Sequence, residues 1–264
     1  MNDTFNINRF GLLLKKTLME RPSQLIGLAG LSFALSFLVY GLAIMLSGYE
    51  DAQNASFVVG LVGGGCFLAS FVYGHFISNA SGCSWLTLPA STFEKWLTGV
   101  VITGICYLGL FLLFFRIMDA SFVAVYHRNL DPASPFYKDR YDMVNIFPYN
   151  GFVAVKSGML FLNFAGIMLV GSLYFNKATF IKVALITCGI CMGLFMLNIL
   201  IAHLFIKNVQ TAFPYAMVWI WVGQERAQLM LPQNTLDIIN IFFQYILPVT
   251  LWGLAFLRLK EKEF

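Results

Sequence analysis

The chain has 264 residues, 59% of them hydrophobic and 11% charged, with a formal net charge of +4. Soluble domains carry about a quarter charged residues, and a soluble fold with this composition would be left with large exposed apolar patches. β-Barrel crossings would appear as alternating segments of ~10 residues, which this sequence lacks. The expected class is therefore all-α, a polytopic membrane bundle in which each helix satisfies its own backbone hydrogen bonds in lipid.

In chain order, residues 1–22 come first, before any apolar run. Within them Phe5–Glu20 has helical periodicity, with Ile7, Phe10, Gly11, Leu14 and Leu18 on one side and Arg9, Lys16 and Glu20 on the other. This predicts an amphipathic helix lying in the membrane interface, Phe10 and Leu14 toward the apolar layer and Lys15 and Lys16 near anionic headgroups. The alternative is a basic flank that only fixes topology. Six apolar runs follow, and a helix needs about 20 residues to cross a hydrocarbon layer. The expected spans are residues 23–47, 56–78, 96–117, 152–176, 179–206 and 238–257, all within one transmembrane domain covering 1–264. The first run is too long for a signal core and has no small-x-small cleavage site after it, so no cleavable signal is expected.

Lys and Arg orient the bundle. Arg9, Lys15, Lys16 and Arg21 precede the first span, and the next gap holds Glu50 and Asp51 with no base. Basic flanks stay inside, so both termini are expected to be cytoplasmic. That places ten bases inside (Arg9, Lys15, Lys16, Arg21, Lys95, Lys177, Lys182, Arg258, Lys260, Lys262) and seven outside, mostly in long loops. Those external loops are 118–151 and 207–237. The first is long enough for a small subdomain or a helix extension. The second contains Ala212–Val222, eleven apolar residues that reach only ~16 Å as a helix. With Trp219 and Trp221 this segment reads as a re-entrant or interfacial helix, and the alternative is a seventh span.

Reactive constellations are missing. The sequence has no His-Glu-x-x-His, no Gly-x-Ser-x-Gly and no Gly-x-x-x-x-Gly-Lys-Ser/Thr phosphate loop. His127-Arg-Asn-Leu-Asp131 lacks a supporting context and reads as a solvated turn. No catalytic, cofactor or metal site is expected, and the protein is not read as an enzyme. Cys188-Gly-Ile-Cys191 falls inside the fifth span, where a thiolate is costly. The five cysteines are therefore read as packing residues. His75, Asn163, Asn198, His203 and Gln244 are the polar content of the spans, expected to make interhelical hydrogen bonds. Gly60-x-x-x-Gly64 and Gly189-x-x-x-Gly193 permit close helix approach.

The most specific local pattern lies between the second and third spans. Leu88-Pro-Ala-Ser91 is followed by Glu94, the spacing of a capping box in which Ser91 and Glu94 satisfy one another's backbone N–H groups. Pro89 prevents a helix from running through. The expected product is a short cytoplasmic elbow presenting an exposed Trp85 and Leu88 to a soluble partner. The alternative is a plain interfacial Trp anchor.

With this loop in place, the chain resembles permease subunits of type-2 ATP-binding-cassette exporters over nearly its whole length. The resemblance rests on the entry helix, six spans with both ends inside, the Leu88-Pro-Ala-Ser91…Glu94-Lys95 loop, the external insert before the last span and the basic tail Arg258–Lys262. It implies that Trp85, Leu88, Pro89, Ser91, Glu94 and Lys95 couple to a separate ATP-binding subunit. It also implies that two permease halves pair around a path through the plasma membrane, in a bacterium the inner membrane. The reading from another class is a non-transporting scaffold, sensor or immunity protein.

Overall fold

The computed structural model describes residues 5–20, 22–77, 79–175, 179–206, 209–213, 217–222, 225–230 and 232–262. Residues 1–4, Arg21, Ser78, residues 176–178, Lys207, Asn208, residues 214–216, Gly223, Gln224, Leu231, Glu263 and Phe264 lie outside the described set, and so do the parts of the expected segments that fall on them.

Among the described residues a helix, α1 (Ile7–Glu20), precedes six helices long and apolar enough to cross a membrane. These six are α2 (Pro22–Leu46), α3 (Tyr49–Val72), α5 (Thr92–Arg128), α7 (Phe152–Tyr174), α8 (Thr179–Phe205) and α9 (Gln233–Glu261). Two short helices, α4 (Asn79–Leu86) and α6 (Tyr137–Met143), lie in the connections. The helices overrun the expected spans where charges can be tolerated. Glu50 and Asp51 sit in the first turn of α3, where the helix dipole favours acids. The third span continues to Arg128, so the 118–151 loop begins as a helix extension. Between α2 and α3 the chain reverses through Gly48 at φ 98°, a left-handed conformation that suits glycine.

Helix α7 is the hub, packing against α3, α8 and α9, while α2 pairs with α3. Burial sorts the spans accordingly: 61% of the apolar window of α3 is buried, but only 6% of that of α8. Lipid is as apolar as leucine, so close approach rather than water exclusion must hold such helices together. The glycines show how this is done. A Cβ on Gly60 would meet Phe111 at 2.5 Å and Ser36 Oγ at 2.7 Å, and one on Gly64 would run into Tyr107 and Ser32. The Gly60/Gly64 pair is therefore a contact surface for the first and third spans. Gly189 and Gly193 face open space. Cys188 and Cys191 are exposed on the same helix, so they are not the packing residues expected, while Cys66 is buried.

Side chains complete the stitching. Trp252 of α9 donates to Leu162 O at 2.9 Å and lies against Gly166 and Gly104. Its own carbonyl accepts from Trp96 Nε1 at 2.9 Å. Asn163 Nδ2 donates to Phe243 O at 2.7 Å, an interhelical bond as expected. His203 bonds within its own helix, to Ile199 O. Three spans contain a π-helical turn, at Val59–Gly63, Val101–Cys106 and Phe242–Ile246. The last has an evident cause: Pro248 can donate no hydrogen bond to Gln244, four residues back, and its ring crowds that carbonyl, so the helix widens just before it.

In its described residues, the apolar run before the last span is strand and not helix. Val209–Phe213 (β1), Met217–Val222 (β2) and Glu225–Met230 (β3) form a three-stranded antiparallel sheet in the order β1-β2-β3. Thr211 and Gln228 both pair with Trp219, and Val222 pairs with Glu225 at the near ends of β2 and β3. The interfacial-helix expectation for Ala212–Val222 is overturned, and with it the seventh span. Met217-Val-Trp-Ile-Trp-Val222 is β-branched and aromatic, the composition that suits strands, and strands are available on both sides to pair with it.

Gly60→Ala or Gly64→Ala should lower stability by about 1–3 kcal/mol through overpacking. Gly189→Ala and Gly193→Ala should cost less than about 0.5 kcal/mol. Thermal unfolding of the four variants in one detergent checks the contrast.

Candidate functional site

The sequence singled out the 79–96 segment, and there the structure gathers groups from three parts of the chain. Ser91 caps α5 as expected: its Oγ accepts from Glu94 N at 3.3 Å, and Glu94 Oε2 accepts from Ser91 N at 2.9 Å. The same carboxylate does more than close the box. It accepts from Asn6 N at 2.8 Å, from Arg9 Nε at 2.7 Å and from Arg9 Nη2 at 2.8 Å. Glu94 is fully buried, so it is an ion held by a bidentate guanidinium and two backbone donors, the arrangement that makes a buried charge tolerable. Arg9 therefore turns inward to the loop, where the helical pattern of α1 had placed it on the headgroup side.

Helix α1 is clamped to the loop at a second point. The Phe5 ring meets Phe93 edge-on at 6.0 Å, and Phe93 in turn approaches Phe256 of α9 at 6.3 Å. Leu13 is the buried residue of α1, and Leu14 and Phe10 are half-buried. Lys15 and Lys16 are exposed, beside exposed Leu12 and Met19.

Lys95 is also buried, with Nζ donating to Leu86 O at 2.7 Å and lying 5.7 Å from the Trp85 ring centroid. A cation on a terminal carbonyl closes the last turn of α4. Trp85 itself is only 4% exposed, set edge-on to Tyr73 and Phe76 at 6.1 and 5.6 Å. The exposed-Trp expectation is thus corrected: its aromatic surface is used inside, against the end of the second span. Leu88 is half-buried against the core. The outward residues of the elbow are Cys83, Ser84, Thr87, Pro89 and Phe93. Because Trp96 bonds to α9 and Tyr73 Oη donates to Trp96 O at 3.2 Å, the elbow is tied to three spans at once.

A second polar cluster, which the sequence did not reveal, sits at the opposite end of the bundle. Asp119 is fully buried in α5. Its Oδ1 accepts from Tyr40 Oη and from Gln53 Nε2, both at 2.8 Å, and its Oδ2 accepts from Phe147 N at 2.7 Å. Gln53 also donates to Asn145 O at 2.8 Å. Arg116 Nη1 donates to Phe147 O at 3.1 Å and its guanidinium lies 4.3 Å from the Tyr149 ring centroid. One carboxylate thus joins the first three spans to the incoming 144–149 segment. The ring of Phe147 fills the space between Phe57 at 4.7 Å and Phe115 at 5.5 Å. Asp119 was placed in a loop because it ends an apolar run. The readable hints were Tyr40 within the first span and Gln53 at the head of the second.

His127, in the motif read as a turn, stacks on Tyr141 at 3.8 Å and bonds Val144 O at 2.9 Å, which anchors α6. Among the described residues no group of three His, Cys, Asp or Glu side chains gathers to hold a metal ion.

Asp119→Ala strands three buried donors, at about 1–3 kcal/mol each when fully unsatisfied. A loss of about 3 kcal/mol and new protease cleavage within 129–151 are expected, with Asp119→Asn losing less because it keeps an acceptor. Melting and limited proteolysis of both variants check this.

Compared with models of known families, with curated proteins and with solved structures, the chain matched none.

Proposed function

We propose that this protein is the membrane-spanning permease subunit of an ATP-driven exporter. In this reading both termini face the cytoplasm, and the chain pairs with a second copy or a related half. The elbow at 79–96 receives a separate ATPase subunit. The observation that supports it best is the Glu94 carboxylate, which binds α1, the elbow and the start of the third span into one rigid piece. A soluble partner pressing on Thr87, Leu88 and Pro89 would move that piece as a unit. Through Trp96 and Trp252 the displacement would pass to α9 and α7. A loop serving only as a tether would need no buried ion pair of this kind. Binding and hydrolysis of ATP belong to the partner, because the sequence has no phosphate loop of its own.

Trp85 is not a suitable probe of docking, since removing a buried indole costs about 3–5 kcal/mol in stability by itself. Ser84→Glu with Thr87→Glu alters only the outward face of the elbow. On purification from membranes in mild detergent, the wild-type chain should carry an ATPase subunit, and the double variant should carry at least fivefold less at equal yield and equal melting temperature. A chain that brings down no ATPase in either form would favour the scaffold or sensor reading.

The orientation has its own test. In a cysteine-free background, cysteines at Thr87 and Lys260 should stay protected from an impermeant thiol reagent in intact cells, while those at Asp51, Asp139 and Gln228 react. Labelling of the Lys260 site from outside would reverse the assignment.

A further inference from the structure

A groove separate from the elbow runs between the fourth, fifth and sixth spans. Helices α8 and α9 both pack on α7, and the wedge left between them encloses about 700 Å³. Its walls include Phe164, Ile167, Ile186, Leu194, Leu247 and Leu251. Cavities of this size commonly take small molecules, and one embedded in a bilayer is within reach of acyl chains.

The chemistry at one end narrows the choice. Tyr174 and Phe175 close the groove at the end of the bundle that carries α1, and a cation sits over each ring. The Arg258 guanidinium carbon lies 4.3 Å from the Tyr174 centroid, and Lys182 Nζ lies 5.6 Å from that of Phe175. Lys262 stands on the same end, 4.5 Å over Phe76. Arg258 Nη1 donates to Glu261 Oε2 at 2.6 Å, but its Nε is buried with no partner among the described residues. Burial, and then repulsion from Arg258, lower the pKa of Lys262. Arg258, Lys182 and Lys262 set against Glu261 leave positive charge in excess at this mouth, and an anion placed there would relieve it.

We propose that the groove is a binding site for an anionic phospholipid, with one acyl chain against the Phe164–Leu251 walls and the phosphate held by Arg258 and Lys182. Basic pockets between membrane helices at the headgroup level select anionic lipids in this way, and a guanidinium fork matches phosphate geometry. A zwitterionic headgroup brings its own cation and would leave the excess charge in place. The site goes beyond the transport reading and does not depend on it.

The test uses purified protein in mild detergent, offered phosphatidylglycerol or phosphatidylcholine with the same acyl chains. Bound lipid is counted by native mass spectrometry. Phosphatidylglycerol should be retained at least fivefold better, and Arg258→Gln with Lys182→Gln should bring it down to the phosphatidylcholine level. Ile190→Trp, which narrows the groove and keeps the cations, should reduce both lipids. Lys138→Gln with Arg140→Gln, at the far end, should change nothing. A phosphatidylglycerol with a photoreactive acyl chain should crosslink wild-type peptides within 159–194 or 243–251, so the proposal can fail even if a variant does not fold. Equal retention of the two lipids by the wild-type chain, or crosslinks confined to other helices, would overturn it.

Discussion

Inside a bilayer, a buried polar group that finds no partner in the protein finds none at all, and this constraint governs where the bundle can be joined. Apolar contact between helices offers little gain over contact with lipid, so the joints fall where backbones approach closely or where a few polar groups are fully satisfied. Gly60 and Gly64 make the first kind, letting Phe111, Ser36, Tyr107 and Ser32 come against the second span. Trp252 combines both kinds, lying in the notches of Gly104 and Gly166 while its indole N–H meets Leu162 O. The remainder of the apolar surface, most of α8 included, is free to face lipid.

Two carboxylates hold opposite ends of this framework. Glu94 gathers donors from α1, the elbow and its own helix start, and Asp119 gathers them from two neighbouring spans and the 144–149 segment. Both lie on α5, so one long helix carries a fixed polar joint near each end with a π-helical turn at Val101–Cys106 between them. A displacement at one joint reaches the other along a single element. That is the mechanical property the proposed coupling role requires.

How much of this was legible depended on the range of the interaction. The six helices and the Ser91–Glu94 box follow from local signals, apolar length and a three-residue spacing, and they appear as read. Arg9 was misplaced because its partner Glu94 is 85 residues away, and periodicity knows only the helix's own faces. Trp85 looked exposed because it lies in a short loop beside a stiff turn, but Tyr73 and Phe76 fold over it. Asp119 depends on Tyr40 and Gln53, 79 and 66 residues distant. The Met217–Val222 run was ambiguous in principle, since a short apolar stretch has no period that separates strand from buried helix, and only its pairing with β1 and β3 decides.

The widened turn at Phe242–Ile246 sets a phase in the last helix. Each residue advances an α-helix by ~100°, so the extra residue of a π turn rotates everything after it relative to everything before. Phe243, in that turn, offers its carbonyl to Asn163, and Trp252, beyond it, enters the Gly104 and Gly166 notches. The two contacts are in register with α7 only because of that offset. The number of residues between them is thus fixed independently of their identity. Winding these same residues as a regular α-helix would swing Trp252 away from the notches by roughly a quarter of a revolution, without altering a single side chain.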